Sequence, residues 1–278
     1  MYIRTINFAI SLGWVMSERS IRKHLSDHTE TTYQDSNLQF SIVVPVKNEG
    51  ANIDMLLDLI DSACDGRIFE AIFVDDGSID DTPAKLQVAL TQYDWLRVLR
   101  HNQSGGQSAA VHSGVLCAKA SRICTIDGDG QIPPSEIPRL IDAMDSQDGS
   151  KVHLVAGQRV MRQDTLSKQL ASRIANTIRK AILKDATRDT GCGHKAFDRD
   201  KFLELPYFNN MHRYLPALFA AYGGRVIHID VVHKARNAGK SNYNNLQRGL
   251  AGIYDLIGVS WLIKRHKQVH PFEVRKHD

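Results

Sequence analysis

The sequence predicts an α/β protein built on a doubly wound, mostly parallel sheet, and three observations carry that reading. Short β-branched runs alternate with helical patterns four times between Phe40 and Ile126, as in consecutive βαβ units. Polar, chemistry-bearing residues fall at the ends of those runs, where ligands gather in open parallel sheets. The fourth run delivers two carboxylates, Asp127 and Asp129, onto the turn at its end.

Phe40–Val46 (FSIVVPV) reads as a buried strand, followed by Lys47-Asn48-Glu49. Asn52 caps a helical pattern through Met55, Leu56, Leu59 and Ile60. Phe69–Val74 is a second strand, ending in Asp75-Asp76-Gly77-Ser78. Asp81 or Thr82 opens the next helix, with Pro83 in its first turn. Leu96–Leu99 is a third strand, running into His101-Asn102. Ser108–Ala120 is a helix of small residues, and Arg122–Ile126 is the fourth strand.

The second half is less regular. Val152–Ala156 is a strand that runs into Gly157-Gln158-Arg159. Leu166–Leu183 is helical, with Leu166, Leu170, Ile174, Ile178 and Ile182 on one side. Arg173, Thr177, Lys180 and Lys184 follow at helical spacing on an adjoining face. That pattern suits an interfacial helix, and also the more common case of a helix packed on the sheet with a solvated basic face. Arg225–Val232 is a late strand before His233-Lys234-Ala235-Arg236. Gly249–Ile263 is apolar except for Asp255 and precedes Lys264, Arg265, His266 and Lys267. It reads either as a helix at a membrane surface or as a terminal helix packed on the core.

Residues 17–37 are polar and aperiodic, so residues 1–37 are expected to be a flexible extension. A domain over 38–245 follows, with halves at 38–150 and 151–245, and then a C-terminal helix and tail over 246–278. At 278 residues the chain buries a substantial core in one or two domains. A net charge of +4 is mild and does not suggest a nucleic-acid binder, for which a clustered basic face is expected. The four cysteines show no metal spacing and sit mostly among apolar neighbours, which fits reduced core thiols and a cytosolic setting. No stretch reaches the ~18 uncharged apolar residues of a spanning helix. Ile6–Met16 is apolar, but Arg4 is the only cation before it and no small-residue cleavage site follows, so it is a poor secretory signal.

Two acids as close as Asp127 and Asp129 repel unless a cation lies between them. A hard divalent ion, Mg2+ or Mn2+, shared with a phosphorylated ligand meets that need. Gly128 and Gly130 let the backbone crowd the ion, Gln131 adds a neutral oxygen, and Pro133-Pro134 stiffen the exit. Gly239-Lys240-Ser241 lacks the upstream glycine of a P-loop, where Lys234 stands.

The motifs IVVPVKNE, FVDDGSIDDT, NQSGGQSAAVHSG and TIDGDGQIPP resemble family 2 glycosyltransferases of the GT-A fold. GQR at 157–159, SRIAN at 172–176, DTGCGHKAF at 189–197, MHRYLPAL at 211–218 and HKARNAGKSNY at 233–243 are similar to the branch that makes polyprenyl-phosphate sugars. That branch includes dolichol-phosphate mannose synthases and bacterial undecaprenyl-phosphate glycosyltransferases, and the likeness covers roughly residues 38–265. Two positions depart from it: Lys47 stands where many members carry Tyr, and Gln107 where Lys is frequent. Gln is common there among the undecaprenyl-phosphate enzymes, so the reading tilts toward them.

The resemblance implies transfer of a sugar from a UDP- or GDP-linked donor to a polyprenyl phosphate, undecaprenyl or dolichyl. The product would be a lipid-linked sugar for envelope glycans or lipid A modification. Pro45, Val46 and Glu49 would line one donor wall, and Asp75 or Asp76 would accept from a base N–H, with Gly77 leaving room for the ring. Gln107, Asp127 and Gly128 complete the nucleotide-sugar contacts, and Asp127, Asp129 and Gln131 would hold the metal. Arg159, Arg173 and Thr177 would meet the lipid phosphate and Arg236 the donor phosphates. Asp189, with Lys240 and Ser241, belongs to the sugar or acceptor loop. An acceptor phosphate is already nucleophilic and needs no strong base, so a single inverting displacement is expected. His112, His194 and His212 are expected to be structural. With no C-terminal pair of spanning helices after the domain, peripheral association with the cytoplasmic face of the membrane is expected. Two alternatives keep the nucleotide half: transfer to a sugar hydroxyl in polysaccharide synthesis, with Asp189 as base, and a nucleotide-binding regulatory protein without catalysis.

Overall fold

The computed structural model describes residues 37–145, 151–159, 177–185, 187–232, 245–267 and 269. Seven strands form one sheet in the order β3-β2-β1-β4-β6-β5-β7. They are β1 Phe40–Val46, β2 Phe69–Asp75, β3 Leu96–Arg100, β4 Arg122–Thr125, β5 Leu154–Arg159, β6 Lys195–Asp198 and β7 Val226–Val231. β1 to β4 pair in parallel, β5 and β7 pair in parallel, and β6 runs antiparallel to both β4 and β5. Strands from both sides of residue 150 therefore share one sheet.

The helices are α1 Gly50–Ala63, α2 Thr82–Ala89, α3 Gln107–Cys117, α4 Glu136–Asp142, α5 over 177–183, α6 Arg199–Leu203, α7 Leu215–Ala221 and α8 Asn245–Arg265, with a 3-10 turn at Met211–Arg213. Alternation along β1 sends Ile42 and Val44 toward Leu56 and Ile60 of α1 and Leu140 of α4. Val43 faces the opposite layer, with Val111 and Val115 of α3 and Phe219 of α7. Burial on both faces explains why FSIVVPV shows no polar alternation.

Several boundaries differ from the sequence reading for identifiable reasons. α1 starts at Gly50, not at an Asn52 cap, because the Asp80 carboxylate accepts from Gly50 N at 3.1 Å. Asn52 instead donates back to Glu49 at 2.6 Å. β5 continues through Gly157-Gln158-Arg159 because β7 pairs with it as far as Arg159 and Val231. β6 is absent from the sequence reading because it is four residues long and only pairing to distant strands holds it extended.

α8 packs one side on the core. Its Val259 is buried in the α3–α7 layer together with Leu183 of α5. The only acid of its apolar stretch, Asp255, accepts from Asn210 Nδ2 at 3.1 Å, and Tyr214 Oη donates to Gly252 O at 3.3 Å. The other side of α8 leaves Ile253, Tyr254, Ile257 and Trp261 between 57% and 81% exposed. Among the described residues no helix is long and apolar enough to cross a membrane.

Candidate active site

The topology collects the polar motifs on one rim. β1, β2 and β4 end there at Val46, Asp75 and Thr125. Because β6 is antiparallel, its first residue lies on the same rim, with Lys195 paired to Thr125 on one side and Ala156 on the other. β5 ends there at Arg159. The strand order reverses between β1 and β4, so the acid pair stands at the switch point, where such sheets open a crevice.

Asp127 follows β4 directly and is half-buried. Gln107 Nε2, at the start of α3, donates to its Oδ1 at 2.9 Å. Loss of solvent and the neighbouring Asp129 push the Asp127 carboxyl up to about 6, with Lys195 and Arg159 pulling the other way. Asp129 Oδ1 accepts from Gln131 N at 3.1 Å. Two glycines make room for this arrangement. A Cβ at Gly128 would lie 2.7 Å from Val46 Cγ1, and one at Gly193 only 2.1 Å from Asp127 Oδ1. Thr125 Oγ1 donates to Gly193 O at 2.7 Å and ties the β6 entry to β4.

The donors on this turn are all hard oxygens, and Asp127, raised by burial and by the neighbouring Asp129, is short of positive charge. No group of three His, Cys, Asp or Glu among the described residues makes a closed cage. A partial set of two carboxylates fits a Mg2+- or Mn2+-type ion that takes its remaining ligands from phosphate and water.

At the end of β2 the two acids of DDGS part company. Asp75 Oδ1 accepts from Ser78 N at 2.8 Å, while Oδ2 lies 3.2 Å from Arg100 Nε yet has no aligned donor. Asp76 is committed to the glycine-rich loop at Ser104–Gly106 through both oxygens. Of the two acids expected to accept from a base N–H, Asp76 is thus the one engaged by the loop. Lys47 Nζ donates to Ser104 Oγ at 2.9 Å from the end of β1. Glu49 N donates to Thr82 Oγ1 at 2.9 Å, tying the exit of β1 to α2. Gly77, at φ +72°, faces the Gln103–Ser104 backbone.

At the end of β5, Arg159, expected to meet a lipid phosphate, is paired with Asp189. Its Nε donates to Asp189 Oδ2 at 2.6 Å and its Nη2 to Asp189 Oδ1 at 2.9 Å, with both side chains largely buried. Asp189 also turns its own loop by accepting from Gly191 N at 3.0 Å. Arg188 donates to Gln158 Oε1 and Asp230. Thr177 is exposed at the start of α5. Arg173, Arg236, Lys240 and Ser241 lie outside the described residues.

The three histidines take no open position. His212 bonds Ser108 Oγ at 2.7 Å, and burial pushes it down to about 3. His194 is fully buried with neither ring nitrogen bonded, and it too is pushed down to about 3. His112 packs on the Tyr207 ring.

Sequence reasoning missed Lys195. It is 3% exposed, donates to Cys192 O, and is the first cation to offset charge at Asp127. Its signal was a lysine heading the apolar Ala196-Phe197 pair, legible only once that stretch is known to be a central strand.

The sheet and the acid pair at its switch point are those of a GT-A-fold protein. Solved structures of glucosyl-3-phosphoglycerate synthase from Mycobacterium tuberculosis share this fold. One, in complex with Mn2+, uridine-diphosphate and glucosyl-3-phosphoglycerate, superposes with a TM-score of 0.60 at 20% identity, covering 81% of this chain and 79% of that one. Another, in complex with Mg2+ and uridine-diphosphate, also gives 0.60 at 20% identity, covering 80% of each chain. Residues 41–205 match the family described as Glycosyl transferase family 2, and the chain belongs to it. Among curated proteins it is 32% identical over 220 residues to the undecaprenyl-phosphate 4-deoxy-4-formamido-L-arabinose transferase of Klebsiella pneumoniae (strain 342), covering 78% of this chain and 66% of that protein. It is 33% identical, with the same coverage, to the protein of that name from Yersinia pestis (strain Pestoides F). The chain thus spans just under two thirds of the length of these relatives.

Proposed function

We propose that this chain transfers a sugar from a nucleotide-diphosphate sugar to a polyprenyl phosphate, undecaprenyl or dolichyl, with inversion at the anomeric carbon. The lipid-linked product would serve envelope glycan assembly or lipid A modification. The observation that carries the reading is the meeting, at one rim, of a charge-deficient acid pair with a bidentate Arg159–Asp189 pair. The names of the curated relatives support undecaprenyl phosphate as acceptor, and the ligands named with the fold neighbours support UDP and a divalent ion on the donor side.

Asp127 and Asp129, with Gln131 beside them, would hold the ion, which when bound neutralises charge developing on the departing diphosphate. Asp75 would accept from a base N–H through Oδ2, which is buried 3.2 Å from Arg100 Nε, once that ion pair opens to the ligand. Gly128, Pro45 and Val46 bring β1 against the acid turn and form the inner wall. Arg159 keeps one guanidinium nitrogen, Nη1, without a hydrogen bond among the described residues, and that edge would meet the acceptor phosphate. Arg173, Thr177 and Arg236 would complete the anion contacts, and Lys240 and Ser241 the acceptor loop. A hydroxyl acceptor would need Asp189 as base, but that carboxylate is spent on Arg159, which favours an acceptor that is already anionic.

The lipid phosphate lies at the headgroup plane, so the protein must dock there. The exposed Ile253, Ile257 and Trp261 of α8, followed by Lys264, Arg265 and Lys267, form an apolar face with a basic border suited to the cytoplasmic surface of a membrane. Incubation with a panel of UDP- and GDP-sugars, Mg2+ or Mn2+, and undecaprenyl or dolichyl phosphate tests the proposal by mass spectrometry of the lipid. A glycosyl-phosphoryl lipid of inverted configuration is expected. Turnover only onto free sugars, or a product of retained configuration, overturns it.

A further inference from the structure

Asp76 has no part in the chemistry above, yet it is among the most heavily bonded side chains on the rim. Its Oδ1 accepts from Gly105 N at 2.8 Å and His101 Nδ1 at 2.7 Å. Its Oδ2 accepts from Gly106 N at 2.8 Å and Ser104 Oγ at 2.6 Å. His101 is held in turn, with Nε2 3.0 Å from Ser113 Oγ on α3. Gly106 has a φ of +84°, open to glycine at little cost, and α3 begins at the next residue, Gln107. A Gly-Gly segment left to itself samples many conformations, so its single shape must be imposed from outside. Here the four donors on one buried carboxylate impose it.

The consequence reaches the acid pair. Gln107 leaves the pinned segment and donates through Nε2 to Asp127 Oδ1. Gln107 is itself exposed, so little besides its backbone position directs the side chain. We propose that Asp76 is a positioning residue for the divalent-cation site: it fixes the loop at 104–106 so that Gln107 holds the Asp127 carboxylate in one orientation toward Asp129. The donor-side strand β2 thereby sets the geometry of an acid on β4. The inference rests on the reading that Asp127 and Asp129 bind a divalent ion.

Outer partners that orient a metal-binding carboxylate change metal affinity by roughly 10–100-fold when removed. The test is Mn2+ binding alone, followed by electron paramagnetic resonance, for wild type, Asp76→Asn, Gln107→Leu and the double variant, with hydrogen exchange at amides 104–107. Asp76→Asn and Gln107→Leu should each weaken Mn2+ about tenfold. The double variant should fall within about twofold of Gln107→Leu, since both act through one contact. Exchange should quicken in Asp76→Asn and stay unchanged in Gln107→Leu; a merely structural role for Asp76 would give that split with Mn2+ affinity unchanged. If Asp76→Asn fails to fold, Ser104→Ala replaces it, because Ser104 is exposed and supplies one of the four donors; it should weaken Mn2+ about threefold. Wild-type affinity in a folded Asp76→Asn or Ser104→Ala, or additive losses in the double variant, overturns the inference while leaving the metal site standing. Absence of Mn2+ binding by wild type overturns the metal reading itself, and this inference with it.

Discussion

The charge deficit at Asp127 makes a prediction that needs no substrate. In the folded protein its carboxyl titrates at about 6, raised by lost solvation and by Asp129. An unfolded-chain aspartate titrates near 3.9, so the shift is about two units and corresponds to at most about 3 kcal/mol. The sign follows from the raised value. The protonated acid supports the fold fully below the unfolded pKa, and that support is lost as pH rises through 6. At neutral pH the metal-free protein therefore carries a strained carboxylate. Asp127→Asn keeps the oxygen that accepts from Gln107 and removes the charge. Because Asp127 is half-buried, solvent screens part of the effect, and a gain of about 1–2 kcal/mol is expected. For a unit of this size that is a rise in Tm of roughly 3–6 °C. Thermal unfolding in chelator at pH 7.5 and pH 4 is the assay. The variant should be the more stable protein at pH 7.5, the gap should nearly vanish at pH 4, and Mn2+ should raise the Tm of wild type alone. Equal stability at pH 7.5, or an equal response of both proteins to Mn2+, would refute the electrostatic account of the acid pair.

Other outcomes follow from the same geometry. Arg159→Met removes the bidentate partner of largely buried Asp189 and should lower stability in urea by on the order of 3 kcal/mol; adding Asp189→Leu should restore most of that loss without restoring transfer. His194 is buried with both ring nitrogens unbonded, so His194→Leu should stabilise by about 1 kcal/mol at pH 7. Its pKa is pushed down to about 3, so wild type holds its full stability above pH 6.5 and loses it as pH falls toward 3. The advantage of the leucine variant should grow between pH 7 and pH 5, as urea unfolding at both values will show. Ile257→Glu combined with Trp261→Glu should cut sedimentation with anionic vesicles at least ~tenfold while shifting stability by no more than about 0.5 kcal/mol, since both residues are exposed.

The strands that carry the donor half were legible because each is a local signal. Phe40–Val46 and Phe69–Asp75 are buried on nearly every residue, so their composition alone marks them. The acid turn was legible for the same reason: Asp127, Gly128 and Asp129 are consecutive, and their proximity does not depend on the fold. What the sequence hid is long-range. β6 enters the middle of the sheet against two strands from elsewhere in the chain, and nothing in Lys195–Asp198 announces that. Lys195 and Gly193 reach Asp127 only through that insertion. The pairing of Arg159 with Asp189 spans 30 residues and joins two motifs that had been read as independent.

On the proposed function, that hidden insertion also explains how one rim would serve two anions. A parallel sheet would leave the ends of β4 and β5 separated by a strand whose start faces away. By running antiparallel, β6 brings its own start, with Gly193 and Lys195, to the rim between Asp127 and Arg159. Positive charge then stands on one side of the acid pair, while the other side holds Asp75 and the loop pinned by Asp76. A diphosphate leaving toward the acid turn and a phosphate arriving beside Arg159 would approach from opposite sides of one carboxylate cluster. Their mutual repulsion would be lowest in that arrangement, and the two groups would meet in line only at the sugar carbon between them.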